Sequence, residues 1–194
     1  HLPTRLFLAE RMIDQEQYGP ARQQLMQILS VNPRLSQAWA YLAVIAHLEN
    51  DPSTEQAWQA IASQWPADDA DVNYWIGLKL SQKYRFTEGA SYQRLALEQN
   101  PLHTQARIQL SQDLLRLGKE EEGWRLADVV NQRDQYNIVA HNLLTLRDRL
   151  ENFQTLEKDG FIVRMERREA AIYGERVLAL LSRARQSLTS KYDI

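Results

Sequence analysis

The residue types that perform most enzyme chemistry are sparse in this chain. It has 194 residues and no cysteine, and its four histidines are His1, His47, His103 and His141. The signature of a catalytic zinc site on a helix is two histidines four residues apart with a glutamate beside them. No pair of histidines has this spacing, and without cysteine there is no thiolate ligand and no cysteine nucleophile. We therefore expect no metal, no cofactor and no catalysis from this chain alone.

The remaining polar clusters are explained by solvent and by helix ends. The sequence contains no glycine-rich phosphate loop and no Gly-x-Ser-x-Gly nucleophile motif. The carboxylates of Glu120–Glu122 stand at the start of a predicted helix, where the helix dipole favours negative charge. The mixed charges of Arg164–Glu169 are typical of the solvated start of a helix rather than of a nucleic-acid patch.

Composition narrows the class of protein and of partner. Lys and Arg number 23 against 25 Asp and Glu, for a net charge of −2, so nucleic acid is not an expected partner. No apolar run approaches the ~20 residues that span a bilayer, so a membrane is not expected either. Only 7 Gly and 6 Pro predict an all-α fold, because loop-rich folds need many turn residues. Since the chain starts at His1 and ends just after a helical pattern, we expect it to be part of a longer protein.

A repeat of 34 residues organises most of the chain. Blocks of this length start at Leu2, Ser36, Ala70, Thr104 and Ile138. The seventh position is apolar in every block: Leu8, Leu42, Ile76, Leu110 and Leu144. The eighth is small: Ala9, Ala43, Gly77, Ser111 and Thr145. This pattern predicts two antiparallel helices per block, A and B, that pack closely at the small residue and stack on the next block.

Proline and glycine mark the predicted boundaries within the repeat. Pro33 and Pro101 follow asparagine at positions two periods apart and should end helix B. Gly118 should shape the turn between helices A and B with a positive φ. Gly89 and Gly123 should mark the points where the two helices cross.

Block two departs from this pattern. Glu55 takes the place of the small residue at the helix crossing. The segment Asp51–Thr54 predicts a turn followed by a helix, with Ser53 or Thr54 as the N-cap.

These residues resemble the tetratricopeptide repeat (TPR). Trp39, Leu42, Ala43 and Ala46 in block two and Gly118 in block four have the residue types of that family at its spacing. The resemblance implies an all-α, right-handed superhelix of antiparallel helix pairs. It covers residues 2–150 as four full repeats and a fifth A helix at 137–150. It also implies a scaffold for protein interaction.

The resemblance implies that certain positions of the A helices line a concave groove. The residues at or beside these positions are Leu6, Glu10, Gln37, Val44, His47, Tyr74, Leu78, Gln105, Ile108 and Gln112. The groove is mostly apolar and lacks the lysines and asparagines with which related domains grip a C-terminal carboxylate. We expect it to bind an amphipathic helix or extended peptide, or another domain of the parent protein. The alternative is that tight superhelical curvature buries much of this face.

The repeat alignment leads to specific predictions for two histidines. His47 is interpreted either as a solvated groove residue or as a peptide contact. His141 takes the repeat position of Trp39 and is expected to pack between helices.

The repeat fails after Leu150, and residues 151–194 are predicted to form a strand and a long helix. Asp159-Gly160 is a turn signal, and Phe161, Val163 and Met165 alternate on one face of a single strand. A helix follows from 166 to about 190. The strand starts a second domain, pairs with another copy in a homodimer, or serves as an extended connector before a helix that caps the last repeat.

The same segment resembles the opening strand and helix of bacterial zinc metallopeptidases of the gluzincin type. The residues concerned are Phe153–Leu156, Asp159–Met165, Glu169–Gly174 and Lys191-Tyr192. Because these enzymes often have N-terminal TPR repeats, the resemblance implies an alternative function as the substrate-recruiting or regulatory scaffold of a larger metallopeptidase. No histidine here begins the His-Glu-x-x-His motif of that family, so no catalytic residue transfers to this chain.

Overall fold

Helices form most of the computed structural model of the chain, which describes residues 1–62, 64 and 69–193. In chain order the elements are α1 (Leu2–Asp14), α2 (Tyr18–Val31), α3 (Ser36–Leu48), α4 (Pro52–Ala62), α5 (Asp69–Gln82), α6 (Phe86–Gln99), α7 (Thr104–Arg116), α8 (Glu120–Arg133), α9 (Ile138–Leu150), β1 (Phe153–Lys158), β2 (Phe161–Glu166) and α10 (Arg167–Tyr192). The chain divides into two compact units, His1–Ala140 and His141–Ile194.

The helix boundaries of the first unit follow the sequence repeat. The A helices α1, α3 and α7 begin at the predicted block starts, and α5 begins one residue early. The B helices α2, α4, α6 and α8 also begin 34 residues apart, at Tyr18, Pro52, Phe86 and Glu120. Each A helix packs against its own B helix. The prediction of an all-α repeat of antiparallel helix pairs is confirmed.

The turn between helices A and B has a left-handed residue in every repeat. Gly118 has φ +74°, as predicted, and the equivalent residues Glu16, Asn50 and Tyr84 have φ of 62°, 58° and 63°. This conformation is easy for glycine and strained for residues with a side chain. The turn geometry is therefore set by the repeat, even where no glycine signals it.

The turns that follow α2, α6 and α8 share a side-chain hydrogen bond. The Oδ1 atoms of Asn32, Asn100 and Asp134 accept from the backbone N–H two residues ahead, at 3.2, 3.0 and 3.0 Å. Helices α2 and α6 end directly before Asn32 and Asn100, which agrees with the prediction that Pro33 and Pro101 end helix B. Such Asx turns replace the next helical hydrogen bond and so end the helix.

Small residues allow the two helices of a pair to approach closely. A Cβ added to Gly89 would overlap Ser81 Oγ and lie 3.0 Å from the carbonyl oxygen of Gly77. A Cβ added to Gly123 would lie 2.7 Å from Leu115 Cγ. The crossings predicted at Gly89 and Gly123 are therefore confirmed, because neither position has space for a side chain.

In block two, the residue at the helix crossing is a glutamate instead of a small residue. Glu55 is buried in α4, and its carboxylate accepts from Tyr92 of α6 and lies within 3.1 Å of His47 Nδ1. The prediction of Ser53 or Thr54 as the N-cap was wrong. The N-cap is Asp51, whose Oδ1 accepts from the Thr54 backbone N–H at 3.1 Å. Helix α4 can begin at Pro52 because a first helical residue needs no backbone N–H.

The second unit contains a β-hairpin rather than a single strand. Strands β1 and β2 are antiparallel, with Leu156 opposite Val163 and Lys158 opposite Phe161. Asp159 and Gly160 both have positive φ, 52° and 80°, which is the two-residue turn of a tight hairpin. The expectation of a lone strand was wrong, because β1 already pairs with Phe161–Met165.

Helix α10 packs against this hairpin and begins where the sequence predicted. The Glu166 carboxylate caps it by accepting from the Arg168 backbone N–H at 2.8 Å. Gly174 lies against Leu156, and Leu178 is buried. Ile172 and Leu188 of the same helix are exposed. Self-association of this unit stays a prediction, which sedimentation at high concentration can check.

Candidate functional site

A buried lysine joins the first and third repeats across the predicted groove. Lys79 of α5 is 1% exposed, and its Nζ lies 3.3 Å from Glu10 Oε1 and 2.6 Å from Asp14 Oδ1 of α1. It also donates to Gln82 Oε1 at 3.1 Å and lies over the ring of Tyr41. Glu10, predicted to line the groove, therefore already has a cationic partner within the fold.

Other predicted groove residues belong to the core or to its margin. Val44 has no exposed surface and Ile108 is 9% exposed, so neither offers contact area to a partner. Leu6 packs against the buried core, and the Gln37 side chain donates to the Tyr41 hydroxyl at 2.9 Å. Leu78 and Gln112 are half-buried. Over the first repeats these observations favour the alternative in which curvature buries the concave face.

His47 is part of a polar network rather than a freely solvated groove residue. Its Nδ1 lies 3.1 Å from Glu55 Oε2, and because a carboxylate only accepts, Nδ1 donates. The Gln59 amide donates to the Tyr92 hydroxyl at 2.8 Å, and that hydroxyl donates to Glu55. Burial, and then the neighbouring Glu55 carboxylate, raise the pKa of Tyr92. The network holds α3, α4 and α6 together.

The expectation that His141 packs between helices was wrong, because His141 is exposed.

A cleft of about 620 Å³ opens at the N-terminal ends of the A helices in repeats three and four. We call it the α5–α7 cleft. Helix α5, the turn before α7, the first turn of α7 and the turn before α9 supply its lining. The lining residues are Asp71, Tyr74, Trp75, Asn100, Leu102, His103, Thr104, Gln105, Asp134 and Asn137. Of the predicted groove residues, Tyr74 and Gln105 lie here together.

His103 fixes one wall of the α5–α7 cleft. Its Nδ1 accepts from the Ala106 backbone N–H at 3.1 Å and so caps helix α7. A nitrogen that accepts is unprotonated, which leaves the proton on Nε2, 2.9 Å from Asp71 Oδ1. The ring is therefore a neutral imidazole that joins α7 to a carboxylate of α5.

Aromatic rings form a second wall. The ring centroids of Tyr74 and Trp75 are 4.9 Å apart, and those of Tyr74 and His103 are 5.0 Å apart. The buried Gln93 amide donates to the Tyr74 backbone carbonyl at 3.1 Å. Burial, and then the negative charge of Asp71, raise the pKa of the Tyr74 hydroxyl, which stays neutral.

Sequence reasoning missed Asp71, His103 and Asp134 as cleft residues. His103 stands directly before a predicted helix, where its side chain acts as an N-cap. Asn137 has the same position one repeat later and caps α9 through its Oδ1, which accepts from the Ala140 N–H at 3.0 Å. Comparing the cap positions between repeats would have drawn attention to His103.

Neither a metal cluster nor a membrane-spanning helix is found in the parts of the chain that the structure describes. Within 1–62, 64 and 69–193, no three His, Asp or Glu side chains come together in a way that could hold a metal ion. Over the same residues no helix has the length and apolar character needed to cross a bilayer.

Comparison with known proteins identifies the fold. No protein-family model matches the sequence, and no curated protein gives a significant match. Among solved structures, the chain is similar to TTC0263, a thermophilic TPR protein of Thermus thermophilus, at 13% identity over 77% of this chain and 82% of that one, with a TM-score of 0.52. It is also similar to YrrB, described as a TPR protein with an unusual peptide-binding site, at 14% identity over 71% of each chain, with a TM-score of 0.46. A third similar structure is the first TPR of Spaghetti (RPAP3) bound to an HSP90 peptide, at 14% identity over 76% of this chain and 90% of that one, with a TM-score of 0.44.

The repeat and the similarity to the Thermus protein agree. The 34-residue period, the paired antiparallel helices and the shared fold show a TPR fold for the first unit.

Proposed function

We propose that this chain is a non-catalytic scaffold that binds a peptide or helix of another protein in the α5–α7 cleft. The observation that supports this most is the cleft itself, about 620 Å³ in volume with Tyr74 and Trp75 half-buried in its wall. Tyrosine and tryptophan are the side chains that most often dominate binding energy at protein interfaces. A groove that runs along all the repeats is less well supported, since Lys79 and Val44 fill it over the first three.

The surroundings of the cleft suit an extended chain better than a small molecule. Leu102 lines the cleft and is 69% exposed. Tyr136 and Ile138 flank the lining residue Asn137 and are 93% and 74% exposed. A small ligand would leave these apolar side chains in water, whereas a peptide that continues past the cleft would cover them.

Affinity measurements on variants test the proposal. Peptides selected from a random phage-displayed library on the wild-type chain would be synthesised and their Kd measured by calorimetry. We expect Tyr74→Ala to weaken binding about tenfold or more, as for other central aromatic contacts. Tyr173→Ala in the second unit is the matched control, because Tyr173 is exposed and outside the cleft.

Thermal unfolding of each variant separates lost binding from lost folding. If Tyr74→Ala folds like the wild type and every selected peptide keeps its Kd, the cleft is not the binding site. Tyr74→Phe provides a milder variant, since it removes only the hydroxyl and keeps the ring contact with His103.

The metallopeptidase alternative remains a second proposal. It is favoured by the order of β2 and α10, a strand followed at once by a long helix, as the resemblance implies. In that case the chain recruits substrates for, or regulates, a catalytic domain of the same parent protein. The sequence of the complete parent protein decides this, because it either contains a His-Glu-x-x-His helix after this segment or does not.

A further inference from the structure

The charged side chains in the lining of the α5–α7 cleft are carboxylates. Its lining includes the carboxylates of Asp71 and Asp134. Among the described residues no lysine or arginine lines it, and the one histidine, His103, is a neutral imidazole because Nδ1 accepts from a backbone N–H. Each carboxylate uses Oδ1 within the fold, Asp71 toward His103 and Asp134 toward the Tyr136 N–H. Both keep a second oxygen as an acceptor.

Helix ends oppose this charge but do not cancel it. The N-termini of α5, α7 and α9 lie at the cleft, and each helix N-terminus is equivalent to roughly +0.5 of an elementary charge. His103 and Asn137 already cap the ends of α7 and α9 by accepting from Ala106 and Ala140. The two full negative charges of the lining exceed the roughly +1.5 of the three helix ends. Arg107, which donates to the Pro101 carbonyl, and Arg133 add positive charge beside lining residues. The second carboxylate oxygens of Asp71 and Asp134 can only accept, so directly at these oxygens a cation that donates hydrogen bonds is favoured over an anion.

The aromatic wall favours one kind of cation. Tyr74 and Trp75 present adjacent rings beside Asp71. A guanidinium group stacks on aromatic faces and forms paired hydrogen bonds with a carboxylate, whereas an ammonium group is a compact, strongly hydrated point charge. Another cleft of the first unit, about 510 Å³ between α1 and α2, is lined by Arg5 and by no carboxylate, tyrosine or tryptophan among the described residues. It therefore lacks the combination of carboxylates and aromatic rings found in the α5–α7 cleft.

We propose that the α5–α7 cleft recognises an arginine side chain of the bound peptide, held between Asp71 and Asp134 against the Tyr74–Trp75 wall. This inference rests on the proposed function as a peptide-binding scaffold and names the chemistry of the peptide. An apolar residue next to the arginine contacts Leu102, the exposed side chain at the rim. The partner is accordingly a protein segment that presents arginine beside a large aliphatic residue.

The test is a titration of the ¹⁵N-labelled chain with the dipeptide acetyl-Arg-Leu-amide, followed by backbone amide shifts. Two further probes are acetyl-citrulline-Leu-amide, which has nearly the same shape without the charge, and acetyl-Glu-Leu-amide. We expect saturable shifts at Tyr74, Trp75 and Gln105 with the arginine peptide. The citrulline peptide should bind about tenfold more weakly, and the glutamate peptide should not bind measurably.

One variant removes charge from the cleft without disturbing the turn that supplies it. Asp134→Asn keeps an Oδ1 acceptor, and Asn32 and Asn100 already form the same turn in other repeats. It should weaken the arginine peptide about three- to fivefold, as expected for one partly exposed ion pair. Glu121→Gln is the matched control, since it makes the same charge change on an exposed position of α8.

The outcomes separate this inference from the proposed function. Equal affinity for the arginine and citrulline peptides, or no effect of Asp134→Asn, overturns the recognition of arginine. If peptides selected from the library then still shift Tyr74 and Gln105, the proposed function stands without it. If neither the dipeptides nor the selected peptides shift any cleft residue, both proposals are wrong.

Discussion

At the scale of single residues, the turn between helices A and B concentrates backbone strain. Glu16, Tyr84 and Gly118 all adopt a positive φ at the same repeat position. The left-handed conformation costs roughly 1–2 kcal/mol for residues with a Cβ. Gly118 avoids this cost, and a Cβ added there would meet nothing within 4 Å. Substitutions at this position therefore report the backbone conformation and little else.

Exchanging glycine at two of these turns should change stability in opposite directions. Gly118→Ala should lower the free energy of unfolding by about 1 kcal/mol, since it adds strain without a clash. Glu16→Gly should raise it by about 0.5–1 kcal/mol, the relief of strain less the extra chain entropy of glycine. Urea denaturation followed by circular dichroism measures both. The same sign for the two variants would show that φ does not dominate at these turns.

Asp113 is a buried carboxylate in the contact between α5 and α7. Its Oδ2 lies 2.7 Å from Ser81 Oγ, and Gln109 Nε2 donates to its Oδ1 at 2.9 Å. Burial raises the pKa of Asp113 above its usual value, and the hydrogen bonds from Ser81 and Gln109 only partly oppose this. The folded state therefore binds this proton more tightly than the unfolded state does. The contribution of Asp113 to stability falls as pH rises from about 4 through the raised pKa.

Asp113→Asn should remove that pH dependence. An asparagine can accept from Gln109 and donate to Ser81, while Ser81 donates to the Gly77 carbonyl at 2.9 Å. The variant should gain stability relative to the wild type between about pH 4 and pH 7, and gain little below pH 4. Urea unfolding at pH 3, 5 and 7 measures the difference. A constant difference at all three values would mean that Asp113 does not titrate with a raised pKa.

At the scale of elements, glycine at the helix crossing sets the distance between α5 and α6. Gly89→Ala should lower the free energy of unfolding by about 1–3 kcal/mol, because the new Cβ overlaps Ser81 Oγ and meets the Gly77 backbone. Gly19→Ala is the matched control in α2, where a Cβ meets nothing within 4 Å apart from its chain neighbours. It should change stability by less than about 0.5 kcal/mol, because the gain in helix propensity is offset by the contact of the new Cβ with the ring of Pro20. Similar midpoints in urea for the two variants would contradict close packing at Gly89.

The sequence predicted those helices and strands whose buried residues recur at a regular spacing. The 34-residue spacing defined the helix pairs, because each pair buries the same faces. The sequence did not predict strand β1, because this strand lacks an alternating apolar pattern. Leu156 is its one half-buried residue, and the other five are exposed. Asp159-Gly160 between two extended segments was the available signal for a hairpin.

The cleft was predictable only in part, for a related reason. Tyr74 and Gln105 came from repeat positions, whereas the contact between Asp71 and His103 depends on how two repeats are packed. Lys79 shows the same limit, since its partners Glu10 and Asp14 lie two repeats away. A repeat pattern indicates which residues share a face but does not give the curvature that brings faces together.

Within the first unit as a whole, Lys79 links repeats one and three. Its charge is buried, whereas Glu10 and Asp14 keep part of their side chains exposed, 22% and 31%. A buried charge without a partner is far more costly than partly exposed carboxylates without one. The two sides of this ion pair should therefore respond differently to substitution.

Neutralising the carboxylates should be worse than removing the lysine. The double variant Glu10→Gln/Asp14→Asn leaves Lys79 buried without a counterion and should cost about 3–5 kcal/mol. Lys79→Met keeps much of the volume and should cost less than about 1 kcal/mol. Urea midpoints of the two variants provide the comparison. If Lys79→Met is the more damaging change, the ion pair is a net source of stability rather than a buried cost.

The claim that this molecule binds a peptide in the α5–α7 cleft is tested most directly by site-specific photo-crosslinking. A benzoylphenylalanine residue would replace Leu102, which is exposed at the cleft, or Met26, which is exposed on α2 far from it in sequence. With a library-selected peptide, we predict a covalent adduct from position 102 that unlabelled peptide suppresses, and none from position 26. An adduct from position 26 alone, or from neither position while the peptide binds with unchanged Kd, would contradict the account.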